Sequence, residues 1–236
     1  MIGKRLVILV TAATLVLTGC TGGTSIKGRK QQEFDIRSLA QSDIDSVLEV
    51  HVRQARAYCR ILMEKLYKRN PRELAKNPVK SVDAIVKRVF GKNHNWEFTE
   101  LNNVRGIEAI RLSMSDDYRG DRVFVFVVGL SSMIMASYEY NMDFYLFDDV
   151  DPQKLYNSAR NIEIAVWKIE HDRDANGELF LYTNSLPGED TNLSYERLFG
   201  KIIAVQDTMA LIMEQKTNRT IKTVLQKMAT AIFLPI

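Results

Sequence analysis

Sixteen consecutive residues, 123–138, carry no charge in a chain of 236 residues that is 26% charged. Such a stretch has to leave water, and everything else in the chain must supply what covers it. It opens as Val123-Phe124-Val125-Phe126-Val127-Val128, which has the composition of a strand. It then runs on through Gly129, Leu130, Ser131, Ser132, Met133, Ile134, Met135 and Ala136, well past the usual strand of about six residues. Sixteen residues also fall just under the lower limit of about 17 for a membrane-crossing helix, and three serines and a glycine weaken that use. The stretch therefore reads as a central helix buried on most sides, ahead of a strand entering a helix and, last, a membrane span.

The flanking sequence offers helices to wrap it. Ser42 stands as an N-cap before Ile44, Val47, Leu48, His51, Ala55, Tyr58, Leu62 and Leu66, which recur at helical spacing. Acids at the start and Lys65, Lys68 and Arg69 at the end suit the helix dipole, so a helix is expected over 43–69. Asn70 and Ser81 cap short helices expected near 71–76 and 82–90, with Gly91 as a left-handed terminator. Residues 92–103 read as a polar loop, and 107–114 are ambiguous between strand and helix. Asp151-Pro152 opens a helix reaching His171. A turn-rich stretch, 172–192, follows. Ser194 then caps a long pattern with Leu198, Ile202, Val205, Met209 and Ile212, which Asn218 breaks and Ile221, Leu225, Met228 and Ile232 resume. The expected class is all-α, a single helical domain of six or more helices over 31–236.

The N-terminus reads as an address. Met1-Ile2-Gly3-Lys4-Arg5 is a basic head, and residues 6–17 are an apolar run of twelve. Twelve helical residues cover about 18 Å, well short of a bilayer core of about 30 Å, which marks residues 1–19 as a cleaved signal peptide. The run ends in Leu17-Thr18-Gly19-Cys20. This resembles the lipobox of bacterial lipoproteins: an aliphatic residue, two small residues, then Cys. The resemblance covers the first twenty residues only. It implies a diacylglycerol on the Cys20 thiol, cleavage before that residue and frequent acylation of the new amino group. Thr21, where sorting of this kind places Asp for inner-membrane retention, implies the outer membrane facing the periplasm if the cell is Gram-negative. Residues 20–30 then form a flexible tether of about 18 Å r.m.s. span. Two or three acyl chains hold a protein to a bilayer essentially for good.

Loss of Lys4 and Arg5 with the signal would leave 30 basic against 29 acidic residues. A near-neutral exported body makes nucleic acid a poor partner. Charge is nonetheless segregated: 65–92 carries nine bases and two acids (Glu73, Asp83), 139–151 five acids and no base, and 170–190 six acids against Arg173. These blocks either present opposite faces to partners or neutralise one another in the fold.

Candidate chemistry is sparse. Asp172-Arg173-Asp174-Ala175-Asn176-Gly177 resembles the first half of an EF-hand calcium loop, with Asp172, Asp174, Asn176 and Glu178 as weak metal candidates. Thr183 stands where the bidentate Glu belongs, and an Asn-Gly turn after a helix accounts for the same residues. His51, His94 and His171 have no metal-binding spacing. Gly129-Leu130-Ser131-Ser132 is not a nucleophile elbow. The adjacent acids Asp116-Asp117 and Asp148-Asp149 read as turns, and Cys59, in a helical pattern, as a buried thiol. No cofactor, no metal and no catalytic residue is assigned. The expected function is a membrane-anchored envelope lipoprotein with a non-enzymatic interaction or complex-assembly role and a protein partner in the envelope. The alternative is a lipid- or cell-wall-binding carrier or enzyme whose Met-rich segments, 123–135 and 209–213, line a cavity.

Overall fold

The computed structural model describes residues 43–91, 94–145, 149–186, 188–223 and 232–236. Their regular elements are α1 (Asp43–Arg69), α2 (Pro71–Leu74), α3 (Val82–Phe90), α4 (Gly106–Ser113), α5 (Arg122–Ser137), α6 (Pro152–His171) and α7 (Ser194–Thr217), with a 3₁₀ turn at Thr99–Leu101. The pairing of Arg173 with Leu179 is the one isolated bridge among the described residues. The chain is all-α, and these helices belong to one unit, Ala40–Ile236.

The uncharged run is α5, and every residue of it except Ala136 is buried. Four helices cover it. α4 lies closest, and α1, α6 and the short α2 close other sides. α4 approaches so closely because of Gly129: a Cβ there would stand 2.7 Å from the Ile110 amide nitrogen and 2.9 Å from the Gly106 carbonyl oxygen. Ser132 then completes the joint, its hydroxyl accepting from Gly106 N at 2.7 Å and donating to Val128 O at 2.6 Å.

α1 and α7 run antiparallel. Lys65 Nζ donates to Ser194 Oγ (2.7 Å) and Tyr195 Oη to Lys65 O (2.8 Å) at one end, while Lys216 Nζ sits 3.5 Å from Asp45 Oδ1 at the other. α7 also packs along α6. Buried Gln206 locks that junction, accepting from Tyr138 Oη at 2.8 Å and donating to Ser137 Oγ (3.0 Å) and Ser158 Oγ (2.9 Å). Two asparagines of α6 hold the last residues of the chain: Asn161 exchanges hydrogen bonds with both backbone groups of Leu234, and Asn157 donates to Pro235 O.

Several expectations need correction. Gly91 is not left-handed; its φ is −96°, and a side chain is excluded there because a Cβ would collide with the Lys87 carbonyl. The stretch read as a polar loop buries Trp96, Phe98 and Leu101 in the core. The ambiguous segment is α4. Ser194 is the first helical residue of α7 and not its cap; Asn192 Oδ1 takes the Ser194 N–H at 3.0 Å. Ile232, placed on a resumed helical stripe, is 66% exposed. Ser81, Asp151 and Asn218 act as expected, the first two as side-chain caps and the last as a left-handed terminator with φ 53°. Ser42, Leu225 and Met228 lie outside the described residues, as do the signal, the tether and Cys20.

The Gly129 contact makes a sharp prediction. Gly129→Ala inserts a methyl group against backbone that cannot rotate away, and overpacking of this kind costs about 1–3 kcal/mol. Thermal denaturation is expected to show the loss, whereas Gly200→Ala, where a Cβ meets nothing within 4 Å, leaves stability unchanged or slightly raised.

Candidate functional site

Two buried carboxylates meet at the start of α5. Asp121 is its N-cap: Oδ1 accepts from Phe124 N (3.0 Å), and Oδ2 from Tyr67 Oη (2.7 Å) and Asn77 Nδ2 (2.9 Å). Glu73, 1% exposed, accepts the Arg122 N–H through Oε2 at 2.9 Å and two bonds from Lys76 Nζ. The Arg122 side chain turns outward from this node and donates to the carbonyls of Ser113, Ser115 and Tyr118, with its guanidinium 4.7 Å from the Phe180 ring. Burial raises the Asp121 carboxyl, and the bonds from Phe124, Tyr67 and Asn77 oppose it; burial and then the Asp121 charge push the Tyr67 phenol up. These groups resemble acid/base machinery in composition, yet each acceptor is engaged by a fixed donor. They hold helix ends.

The charge blocks dock on each other. Arg69 pairs with Glu189, and Arg72 stands 3.8 Å from Glu178 while donating to the carbonyls of Leu179 and Phe180. Asn70, read as a helix cap, makes no capping bond. Its side chain instead exchanges two bonds with the backbone of Tyr182, at 2.8 and 2.7 Å. The third block closes likewise, Glu139 with Lys154 (2.7 Å) and Asp149 with Arg219 (2.6 Å).

No local pattern announces the acidic pair beside this seam. Glu170, at the end of α6, and Glu196, in the first turn of α7, accept from the same amide, Asn184 Nδ2, at 2.7 and 2.8 Å. Two carboxylates so close cannot comfortably both ionise. Burial, followed by the hydrogen bond and charge of Glu196, raises Glu170 to about 7. The pair holds a proton near neutral pH. Residues 26 apart in sequence, at the ends of two helices, leave no local signature of such a meeting.

The calcium-loop candidates do not converge. Asp172 pairs with Lys168, and Glu178 faces Arg72. Asp174 Oδ1 accepts the N–H groups of Asn176 (2.9 Å) and Glu178 (3.0 Å), and these backbone bonds hold its carboxyl below the usual range. Gly177 has φ 80°, as the turn requires. No three of His, Cys, Asp and Glu come together for a metal among the described residues. Asp116 accepts from Ala175 N at 3.0 Å, Asp117 is exposed, and Asp148 lies outside the described residues.

The remaining candidates are structural. Cys59 is buried, which pushes its thiol up to about 12, so it is a poor nucleophile. His51 and His171 bond the carbonyls of Val47 and Trp167, four residues back on their own helices. The Met-rich segments pack as core: Met133, Met135, Met209 and Met213 are at most 1% exposed.

One unexpected feature is strained. Trp96 (φ 61°) and Tyr140 (φ 60°) are bulky residues in the left-handed region, and both line a cavity of about 30 Å³ with Arg56, His94, Asn95, Met135 and Met142. His94 fixes one wall. Its Nδ1 accepts from Trp96 N (3.0 Å), so the ring proton sits on Nε2 and goes to Val89 O (2.8 Å). A cavity that size holds water and not an organic ligand. Comparison with known protein families, curated proteins and solved structures finds no match to this chain.

Two outcomes are expected. Unfolded Glu170 releases its proton near 4.5 but the folded residue keeps it until about 7, so stability falls as pH rises through that window. Glu196→Gln removes the opposing charge and should flatten that fall, raising stability above pH 7 by roughly 1 kcal/mol once solvent screening is allowed for; melting curves from pH 4 to 8 read it. Millimolar calcium is expected to leave the melting temperature unchanged, and a calcium-dependent rise abolished by Asp174→Ala would contradict the turn assignment.

Proposed function

We propose that the chain is a lipid-anchored envelope protein, held by acyl chains on Cys20, whose helical body is an interaction or assembly module and not an enzyme. The observation that carries the reading is the order of basic head, twelve-residue apolar run and Leu17-Thr18-Gly19-Cys20. Among the described residues no helix is long and apolar enough to cross a membrane, which is compatible with attachment through lipid. The interaction role is supported by how the polar groups are used. The buried acids, the hydroxyl of Ser132 and the basic block are spent on joints between elements, and what the body leaves to a partner is its surface. The site of action is the outer membrane, facing the periplasm, in a Gram-negative cell, and the partner is a protein of that envelope.

Cys20→Ala tests the anchor. Metabolic labelling with a palmitate analogue is expected to lose the band, and the chain to move from the membrane to the soluble fraction. Unchanged labelling and unchanged sedimentation with membranes would overturn the reading. Cross-linking of the wild-type chain in intact cells, with proteins and lipids identified by mass spectrometry, tests the role: recovery of lipid or glycan without protein would replace the assembly reading with the carrier reading.

A further inference from the structure

Four cations gather where the end of α1 meets the start of α7. With about 100° of turn per residue, Tyr58, Ile61, Lys65 and Lys68 fall within about 80° of one another on α1, and Ser194, Arg197 and Lys201 within about 60° on α7. The two rows are stitched together. Lys65 Nζ donates to Ser194 Oγ at 2.7 Å and stands 4.7 Å from the Tyr195 ring centre, and Lys201 Nζ stands 5.6 Å from that of Tyr58. Burial, and then the charges of Arg197 and Lys68, hold the Lys65 ammonium below its usual range. Lys68, Arg197 and Lys201 are exposed.

The neighbouring acids are committed elsewhere. Glu64 pairs with Arg60 at 3.2 Å on the edge of the face, Glu189 pairs with Arg69, and Glu196 accepts from Asn184. Among the described residues, Lys68, Arg197 and Lys201 have no carboxylate within ion-pair distance. Like charges held together without a counter-charge repel one another, so the arrangement favours an anion supplied from outside. Two aliphatic side chains stand open among them: Ile61, 44% exposed on the α1 row, and Leu193, 54% exposed, whose carbonyl takes the Arg197 N–H at 3.1 Å. Cations for phosphate beside aliphatics that gain from leaving water are the composition of a surface that lies on a bilayer.

We infer that this end of the α1–α7 pair docks on the anionic phospholipid headgroups of the bilayer that holds the chain. The inference rests on the lipid-anchored reading, which keeps that bilayer within reach at all times. Cys20 and Asp43 are about 23 residues apart, at most about 80 Å of extended chain, and Ile61 lies about 27 Å along α1 from Asp43. Those lengths let the face reach the membrane. Each Lys or Arg near an anionic surface strengthens binding by about fivefold, and a tethered body meets the surface at high effective concentration, so four cations hold it there without a deep pocket. A soluble polyanion supplies phosphate but no apolar layer, and leaves Ile61 and Leu193 in water.

Fluorescence of the full chain reconstituted in vesicles tests this. Ile61→Cys carries an environment-sensitive maleimide dye within the face, and Gln215→Cys carries it at the far end of α7; Cys59 is buried, and the parent chain reports whatever Cys20 takes up. In phosphatidylcholine vesicles with about a quarter phosphatidylglycerol, the dye at 61 is expected to brighten about threefold and shift to the blue relative to phosphatidylcholine alone, and about 0.5 M sodium chloride to reverse this, while the dye at 215 stays unchanged. Arg197→Glu with Lys201→Glu should lower the docked fraction roughly tenfold with helix content by circular dichroism unchanged, whereas Arg119→Glu with Lys222→Glu, the same change of net charge elsewhere on the surface, should not. Flotation with neutral vesicles reads the anchor separately: a chain that fails to float there yet brightens on anionic vesicles loses the anchor and keeps the face. A dye at 61 that responds equally to neutral and anionic vesicles, that is untouched by the charge reversal at 197 and 201, or that responds to soluble polyphosphate and not to vesicles would overturn the assignment.

Discussion

A helix with no exposed side cannot borrow water for its first-turn amides. α5 is such a helix, and its N-terminus lies inside the protein. Each unmet buried N–H would cost about 1–3 kcal/mol. Two carboxylates from different parts of the chain answer the problem, Asp121 for Phe124 N and Glu73 for Arg122 N. Carboxylates suit the positive end of a helix dipole, but they bring charge indoors. Lys76 and the outlying Arg72 stand against Glu73, and Tyr67 and Asn77 against Asp121. The position of α2, a helix of four residues, follows from this: it exists where Glu73 must sit. The C-terminal part of α1, the α2 turn and the start of α5 are therefore one construction around the needs of an uncharged helix.

The same construction explains the charge blocks. Within the basic stretch 65–76, Arg69 and Arg72 face the acids and carbonyls of 170–190. Arg69, Asn70 and Arg72 together donate to five groups of 179–189, four of them backbone carbonyls that no helix or sheet would otherwise satisfy. A long connection without regular structure needs such external donors. Block charge in this sequence is the mark of an internal seam.

Periodicity carried most of the helices. α1, α3, α6 and the end of α7 follow from apolar spacing and from Ser81, Asp151-Pro152 and Asn218, and α5 from the length of its uncharged run. Where the reading missed, a tertiary contact had overridden local pattern. Trp96, Phe98 and Leu101 sit among polar neighbours, so only packing against Phe124 and Phe90 reveals them as core. Gly91 looked like a left-handed terminator, a role that glycine fills often, yet the constraint is a carbonyl too close for a Cβ. Asp174 looked like a metal ligand because the residue types that bind calcium are those that close an Asx turn. The Glu170–Asn184–Glu196 cluster had no sequence signal at all, since it forms only when α6 and α7 are laid side by side.

That cluster differs in kind from the other ties on the 172–193 connection. Asn70 with Tyr182 and Arg72 with the carbonyls of 179 and 180 involve no carboxyl group. The Glu170–Glu196 pair involves two, and one proton decides whether the amide of Asn184 bridges a neutral acid and a carboxylate or two carboxylates. Local opening draws on the least stable joint in its neighbourhood. The helices on either side are held by apolar burial over many turns, and the connection by a few polar bonds. The part of the body freest to respond to its surroundings is thus the connection itself. Its response is graded by acidity at the very end where α6 finishes and α7 begins.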